Sequence, residues 1–505
     1  MKRLTVITLA LAAAGCADSG PTTALDPSGP SFLSSRAGVV RVTNASTAGP
    51  GSFAAAVDEA NRDPAVRAIA FAPRLGIIAL GETVEFRGTQ DLEIDASEAA
   101  LDGELLGAGA PAFRASGGGN LTIRRLTVRN APGEGIVVDV PATSVGIKRV
   151  TLSRVVASGN GGHGVLINDQ MDQDDPTNST GSEASLRVVV NGSQFLANGF
   201  GALDRDGLRV NEGGNGDLEA TVNGSRADGN GADGIEFDER GAGDVRFEVT
   251  ATHVTRNGSF DQTLADLDDG FDVDEADAGS LIARVVGSSA NDNKEEGFDF
   301  NENHAGDMRV ELVSVEASRN LEEGIDLEED DDFQGGGDLI VTAIGVRADG
   351  NVAGDGGLKI RERGDGNVDA RVRDTETSGN LTGGTNLREQ GNGDLLARIE
   401  RVTAVGNTLT GIALREDDDG TQTATVKGAV TERNGSHGID FDENLTGDLA
   451  AIVEASRSTG NTGAGVRADQ QTLGVGTLLL TGVTLGTNGA GDVVTNAGVT
   501  VTQLP

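Results

Sequence analysis

Carboxylates recur at two fixed positions after a recurring glycine, and this is the pattern in the sequence best suited to chemistry. Two residues after Gly234, Gly270, Gly297 and Gly324 stand Glu236, Asp272, Asp299 and Asp326, and four residues after them stand Asp238, Asp274, Asn301 and Glu328. In the repeats that follow, the equivalent positions carry Lys359, Arg361, Arg388 and Arg415. If the repeats stack, like charges one repeat apart repel by about 1 kcal/mol per neighbouring pair even at the dielectric of water. A ladder of this kind asks for cations. Flexible carboxylates supply several oxygens within reach of one ion, the donor set that calcium prefers. The expected metal ligands are Glu236, Asp238, Asp272, Asp274, Asp299, Asp326 and Glu328, all read as facing outward. The same residues also fit a solvated acidic face, neutralised by diffuse counterions and by neighbours such as Arg240.

A further glutamate stands five residues after the glycine in nine repeats: Glu212, Glu239, Glu275, Glu302, Glu329, Glu362, Glu389, Glu416 and Glu443. It persists where the two acidic lanes turn basic, so it reads as a structural column that bonds a turn. The segments ahead of the lanes lengthen at Asn198 to Gly207, at Asn257 to Gly270 and at Asn351 to Gly357. Loops stacked beside one face build the wall of a groove, where repeat folds place function.

The elements that must position these residues follow from the repeat. Asparagines at 380, 407, 434, 461 and 488 are 27 residues apart, and a looser series from Asn160 to Asn351 precedes them. In most repeats the glycine lies 23 residues before the next asparagine. Apolar residues within a repeat alternate with polar ones, as in Phe271/Val273, Phe298/Phe300 and Met308/Val310/Leu312. That period of two is strand chemistry, whereas helical repeats would show 3.6. Three short strands per repeat, separated by Gly, Asn and Asp turns, predict one coil of a parallel β-helix, hydrogen-bonded to the next coil at about 4.8 Å. Asparagine suits the recurrent turn because it tolerates left-handed backbone angles and stacks amide on amide.

With these columns the chain resembles right-handed parallel β-helix repeat proteins of bacterial surfaces, which share the fold of pectate lyases. The resemblance implies an all-β, single-stranded right-handed parallel β-helix of about 27 residues per coil. Residues 39–73 resemble the entry segment of such proteins, with Ser52 capping a short helix over "FAAAVDEANR" that covers the open end of the stack. "GGHG" at 161–164 resembles the histidine motif of polygalacturonases, and "QDDP", with Asp174 and Asp175, resembles their paired aspartates. Here the order is reversed, and His163 occupies an ordinary repeat position that elsewhere holds Asp206, Asp233, Thr410 or His437. A calcium-dependent polysaccharide lyase would use Lys359, Arg361 or Arg388 as its base.

Composition bounds the partners. With 40 basic and 79 acidic residues the net charge is −39, which repels nucleic acid. Trp and Tyr are absent, and with them the usual stacking surfaces of a sugar groove. The start "MKRLTVITLALAAAGC" reads as an export signal ending in the chain's one cysteine, and "AAGC" resembles a bacterial lipoprotein box. That resemblance implies acylation at Cys16 and, with Ala17 next, the outer membrane. The expected organisation is a signal peptide over 1–15, a Ser/Pro/Gly-rich tether over 16–37, an N-terminal cap and irregular coils over 38–119, β-helix repeats over 120–490 and a C-terminal cap over 491–505. The expected function is a non-catalytic, lipid-anchored surface or periplasmic protein that presents a calcium-binding acidic face for adhesion or for binding a polysaccharide or another surface protein. The lyase, and behind it a glycoside hydrolase, is the alternative.

Overall fold

A computed structural model describes residues 38–170, 180–199, 204–258, 268–330, 336–471 and 473–505. Cys16 and the segments expected to be signal peptide (1–15) and tether (16–37) lie outside the described residues, as do Asp174, Asp175 and residues 200–203 and 259–267 of the lengthened segments. The described chain is a parallel β-helix with one coil of about 27 residues per repeat and a single short helix.

One coil shows why the sequence folds this way. Ile439–Glu443, Leu449–Glu454 and Arg457–Thr459 are its three strands, and each pairs in parallel with the strand 27 residues later. In Leu449–Glu454 alternate residues are buried, so the apolar side chains enter the core and the polar ones leave it. Repetition produces three sheets along the axis. The first collects the strands that follow the glycines, the second the longer strands after the next turn, and the third strands of only three residues. The third sheet is carried across its thinnest stretch by single bridges from Glu316 through Arg347 and Glu376 to Thr403.

Register is fixed by the core. Phe271 pairs with Phe298 and Phe298 with Ile325, all buried. Rings of successive coils meet at 5.4 Å (Phe237 and Phe271) and 6.2 Å (Phe271 and Phe298). Each such ring contributes about 1.5–3 kcal/mol by burial. A slip of one residue would bury the aspartates instead. The glycine column is set by close approach: a Cβ on Gly297 would lie 2.5 Å from the Gly324 carbonyl oxygen and 2.6 Å from Asn320 Nδ2.

The asparagines form a continuous buried ladder. Asn407 Oδ1 accepts from the Asn380 backbone N–H at 2.9 Å and from Asn380 Nδ2 at 3.2 Å, while Asn407 Nδ2 donates to Thr377 O at 2.9 Å and to Asn434 Oδ1 at 3.2 Å. The expected reason for asparagine is only half right. The left-handed residue is the one before it, such as Gly406 (φ 70°) or Arg433 (φ 54°). What selects asparagine is an amide that donates and accepts along the axis.

Ser52 caps the helix Phe53–Arg62 as expected, accepting from the Ala55 N–H at 3.2 Å, and Phe53, Ala56, Val57 and Ala60 close the first coils. Residues 491–505 supply the last strands of two sheets, Gly491–Thr495 and Val499–Leu504.

Replacing Asn407 by alanine removes the acceptor for two donors of Asn380 and the donor to Thr377. The expected loss is about 2–4 kcal/mol, read as a lower denaturant midpoint and faster amide exchange in the coils on either side. Unchanged exchange there would remove the ladder from the account.

Candidate functional site

The first sheet aligns the predicted ligands. Glu236 pairs with Asp272, Asp272 with Asp299 and Asp299 with Asp326; Asp238, Asp274, Asn301 and Glu328 stack in the parallel lane. The expectation of an open, outward-facing ladder is corrected in one respect. The side chains point away from the core, but Glu236 (6% exposed), Asp238 (2%), Asp326 (5%) and Glu328 (9%) are buried, and Asp272, Asp274 and Asp299 are half-buried. Crowding causes this: each side chain has neighbours one coil above and below, and a third acidic column beside it.

The sequence reading placed His163, Asp206 and Asp233 at one repeat position but did not read that position as a third acidic column. The residue just before the glycine is Asp206, Asp233, Asp269, Glu296 and Glu323 in five successive coils. Its carboxylates hold the backbone of the next coil: Asp233 N–H donates to Asp206 Oδ1 at 3.0 Å, Glu296 N–H to Asp269 Oδ1 at 2.7 Å, and Asp355 N–H to Glu323 Oε1 at 2.6 Å. The signal was present as recurring Asp-Gly and Glu-Gly pairs, which read as turn residues. His163 belongs to this column. It is fully buried and its Nδ1 accepts from the Asp206 N–H at 2.9 Å, so the "GGHG" histidine is a ladder member.

Charge is distributed in three zones. At one end Arg209 bonds Asp204 at 2.6 Å, Glu236 at 2.7 Å and Asp238 at 2.8 Å. At the other, Lys359 bonds Asp326 at 2.6 Å and contacts Glu328, which also meets Arg361. Between them lie Asp233, Asp269, Glu296 and Asp299, which no lysine or arginine bridges among the described residues. Three carboxyls bring one oxygen each within 4.8 Å of the others in Asp269–Asp272–Asp299, Asp233–Glu236–Asp272 and Asp238–Asp272–Asp274. Asp272 is common to all three. Asp299 accepts from Asn301 Nδ2 at 3.0 Å on Oδ2, while its Oδ1 is buried without a protein donor. Oxygens so spaced suit ligation at 2.3–2.6 Å by a calcium-sized ion.

Titration follows the same zones. Burial, then the charges of Asp326, Glu296 and Asp272, push Asp299 well above the usual carboxylate range. Asp233 and Asp269 are displaced the same way, burial again leading, and Glu296 rises to about 9. Asp274 rises to about 6 through burial and the charge of Asp238. Glu328 differs: burial opposes ionisation, but hydrogen bonds from Arg361 and Lys359 hold it below its ordinary value. Burial alone would lower Lys359, yet Asp326 and Glu328 raise it above a free lysine. Lys359 is thus held protonated, Arg361 is tied to Glu328, and Arg388 is tied to Asp417. None of the three is placed as a base.

No family model and no curated protein sequence matches the chain. Solved structures similar to it include the pectate lyase Pel9A, at 18% identity and a TM-score of 0.41, covering 61% of this chain and 77% of that one. The periplasmic alginate epimerase AlgG is 13% identical with a TM-score of 0.35, covering 74% and 78%. The catalytic domain of a GH87 α-1,3-glucanase is 11% identical with a TM-score of 0.30, covering 92% and 68%. These similarities are too low to say anything of the site.

Replacing Lys359 by methionine strips Asp326 of its cation and leaves Glu328 only the arginines. Near neutral pH the variant is expected to lose about 3–5 kcal/mol. The loss should shrink as pH falls through the carboxylate range, because Glu328, depressed in the folded protein, contributes fully above its unfolded value and loses that contribution as pH falls from there through its lower folded value. Urea unfolding of both proteins across that range measures it, and a pH-independent difference would contradict the pairing.

Proposed function

We propose that the protein is an exported, non-catalytic β-helix, anchored through an acylated Cys16, that holds calcium along the acidic face of its middle coils and uses the bound ions to dock an anionic polysaccharide or a carboxylate-bearing surface partner. The observation that carries this reading is the group Asp269–Asp272–Asp299, whose carboxyls bring oxygens within 4.8 Å of one another, beside Asp233 and Glu296 and between an arginine at one end and a lysine at the other. Burying unpaired charge costs several kcal/mol unless it is neutralised. A divalent ion neutralises it with oxygen ligands already in register. The ions in turn keep coordination positions open toward solvent, where carboxylates of a uronate-type polymer complete them. Neutral sugars have no comparable foothold, since no Trp or Tyr is present to stack on them.

The non-catalytic reading is preferred over the lyase because the cations nearest the face are committed to carboxylates. Export rests on the N-terminal sequence. Attachment through a lipid on Cys16 rests on the same N-terminal sequence, "AAGC".

Calcium should raise the melting temperature of the full chain by mass action, because only the folded state aligns the ligands. Replacing Asp269 and Asp299 together by asparagine should remove most of that shift, while stability without calcium stays equal or rises as repulsion is relieved. Magnesium or monovalent salt at matched ionic strength should not reproduce it. If calcium at millimolar concentration leaves the melting curve where it was, the face is a solvated acidic surface and the proposal is wrong.

A further inference from the structure

The nine glutamates from Glu212 to Glu443 lie off the acidic face, in a column of their own. Each lies at the end of a strand of the first sheet or within two residues of it, each is fully buried, and the register sets each against the next, with Asp169 before the first and Gln470 after the last. In seven of the nine one oxygen accepts from the turn that follows. Gly366 N–H donates to Glu362 Oε1 at 3.0 Å, Gly393 N–H to Glu389 Oε1 at 3.1 Å and Gly420 N–H to Glu416 Oε1 at 3.2 Å. That turn admits only glycine: a Cβ on Gly393 would lie 1.5 Å from the Gly366 carbonyl oxygen. The second oxygen, such as Glu362 Oε2, Glu389 Oε2 or Glu416 Oε2, has no protein donor.

What the second oxygen meets is the next carboxyl. The register sets Glu362 against Glu389, Glu389 against Glu416 and Glu416 against Glu443, one coil apart. A carboxylate only accepts, so two of them cannot bond without a proton between. The ionised groups acting most on the column are its own members and Asp169. From the turn after it, Arg240 faces Asp274 at 3.8 Å, and His304 N–H donates to Glu302 Oε1 at 3.3 Å. From the second sheet comes the neutral Gln422, near Glu443.

We infer that this column, beyond the acidic lanes from Glu362 to Glu443, is a proton-sharing ladder: protons held between the stacked carboxyls join each coil to the next, so that folding takes up protons and alkali loosens the stack. A fully buried second oxygen with no protein donor is satisfied by a proton shared with the next carboxyl, whereas a calcium ion would need six or more oxygen ligands. Burial, reinforced by neighbouring carboxyls, raises Glu389 and Glu443 to about 9 and Glu362 to about 11. An acid raised in the folded state binds a proton there that the unfolded chain has already released. Its contribution is full below the unfolded value near 4.5 and is lost as pH climbs from there through the folded value. Gln470 shows what can replace it: its Oε1 accepts from the Leu449 N–H at 2.9 Å and its Nε2 donates to Gly447 O at 3.0 Å.

The test uses the full chain carrying Asp269→Asn and Asp299→Asn, which removes most of the acidic face's own titration, with and without Glu362→Gln and Glu389→Gln. The urea midpoint of the parent should fall steadily from pH 6 to pH 9.5 (roughly the window set by the raised carboxyls), and the glutamine pair should flatten that fall. The infrared spectrum of the parent at neutral pH should carry the carbonyl stretch of buried protonated carboxyls, diminished in the variant. A parent spectrum with carboxylate bands alone, or equal slopes in the two proteins, overturns the ladder. A midpoint that drops on chelation in the parent and not in the glutamine variant assigns the column to metal ions instead. Should the glutamine pair fail to fold, the spectrum and pH slope of the parent still decide. Loss of calcium binding at the acidic face leaves this inference untouched.

Discussion

Everything in this molecule follows from parallel stacking in register, one coil upon the next at about 4.8 Å. Hydrogen bonding between coils leaves each side chain no choice of neighbour along the axis: it meets the residue one repeat away. A 27-residue period therefore sets phenylalanine on phenylalanine, asparagine on asparagine and carboxyl on carboxyl. For apolar rings that costs nothing. For amides it is an advantage, because an amide donates and accepts with equal ease. For carboxyls it is a standing electrostatic debt.

The chain meets that problem in three ways. At the ends of the acidic face it interrupts the stack with Arg209 and Lys359, each bonded to carboxylates of the adjoining coils. In the glutamate column, sealed from solvent, protons serve, since a neutral acid can bond its copy. In the middle of the face Asp269 and Asp299 have no bridging arginine or lysine among the described residues and, with Asp272, offer oxygens within 4.8 Å of one another, so a soluble divalent ion is the neutraliser that geometry allows.

The repeat, the alternation, the asparagine column, the capped helix and the two acidic lanes were legible because each is a periodic choice of residue type. Three things were not. The Asp206 to Glu323 column was hidden because Asp-Gly is ordinary turn chemistry, and only the fold shows its carboxylates beside the lanes. Burial of Glu236 and Asp326 was hidden because a period of two tells which side a residue takes and not how crowded that side is. The left-handed residue before each asparagine was hidden because Gly406, Arg433 and Arg319 share no side-chain property.

The most direct measurement of the account is the position of calcium itself. Crystals of the full chain grown with the ion should give anomalous difference density among Asp269, Asp272 and Asp299, with coordination distances of about 2.3–2.6 Å. Density only at exposed carboxylates on the outer turns, with none among these three, would contradict the claim that stacked carboxylates make this face an ion site.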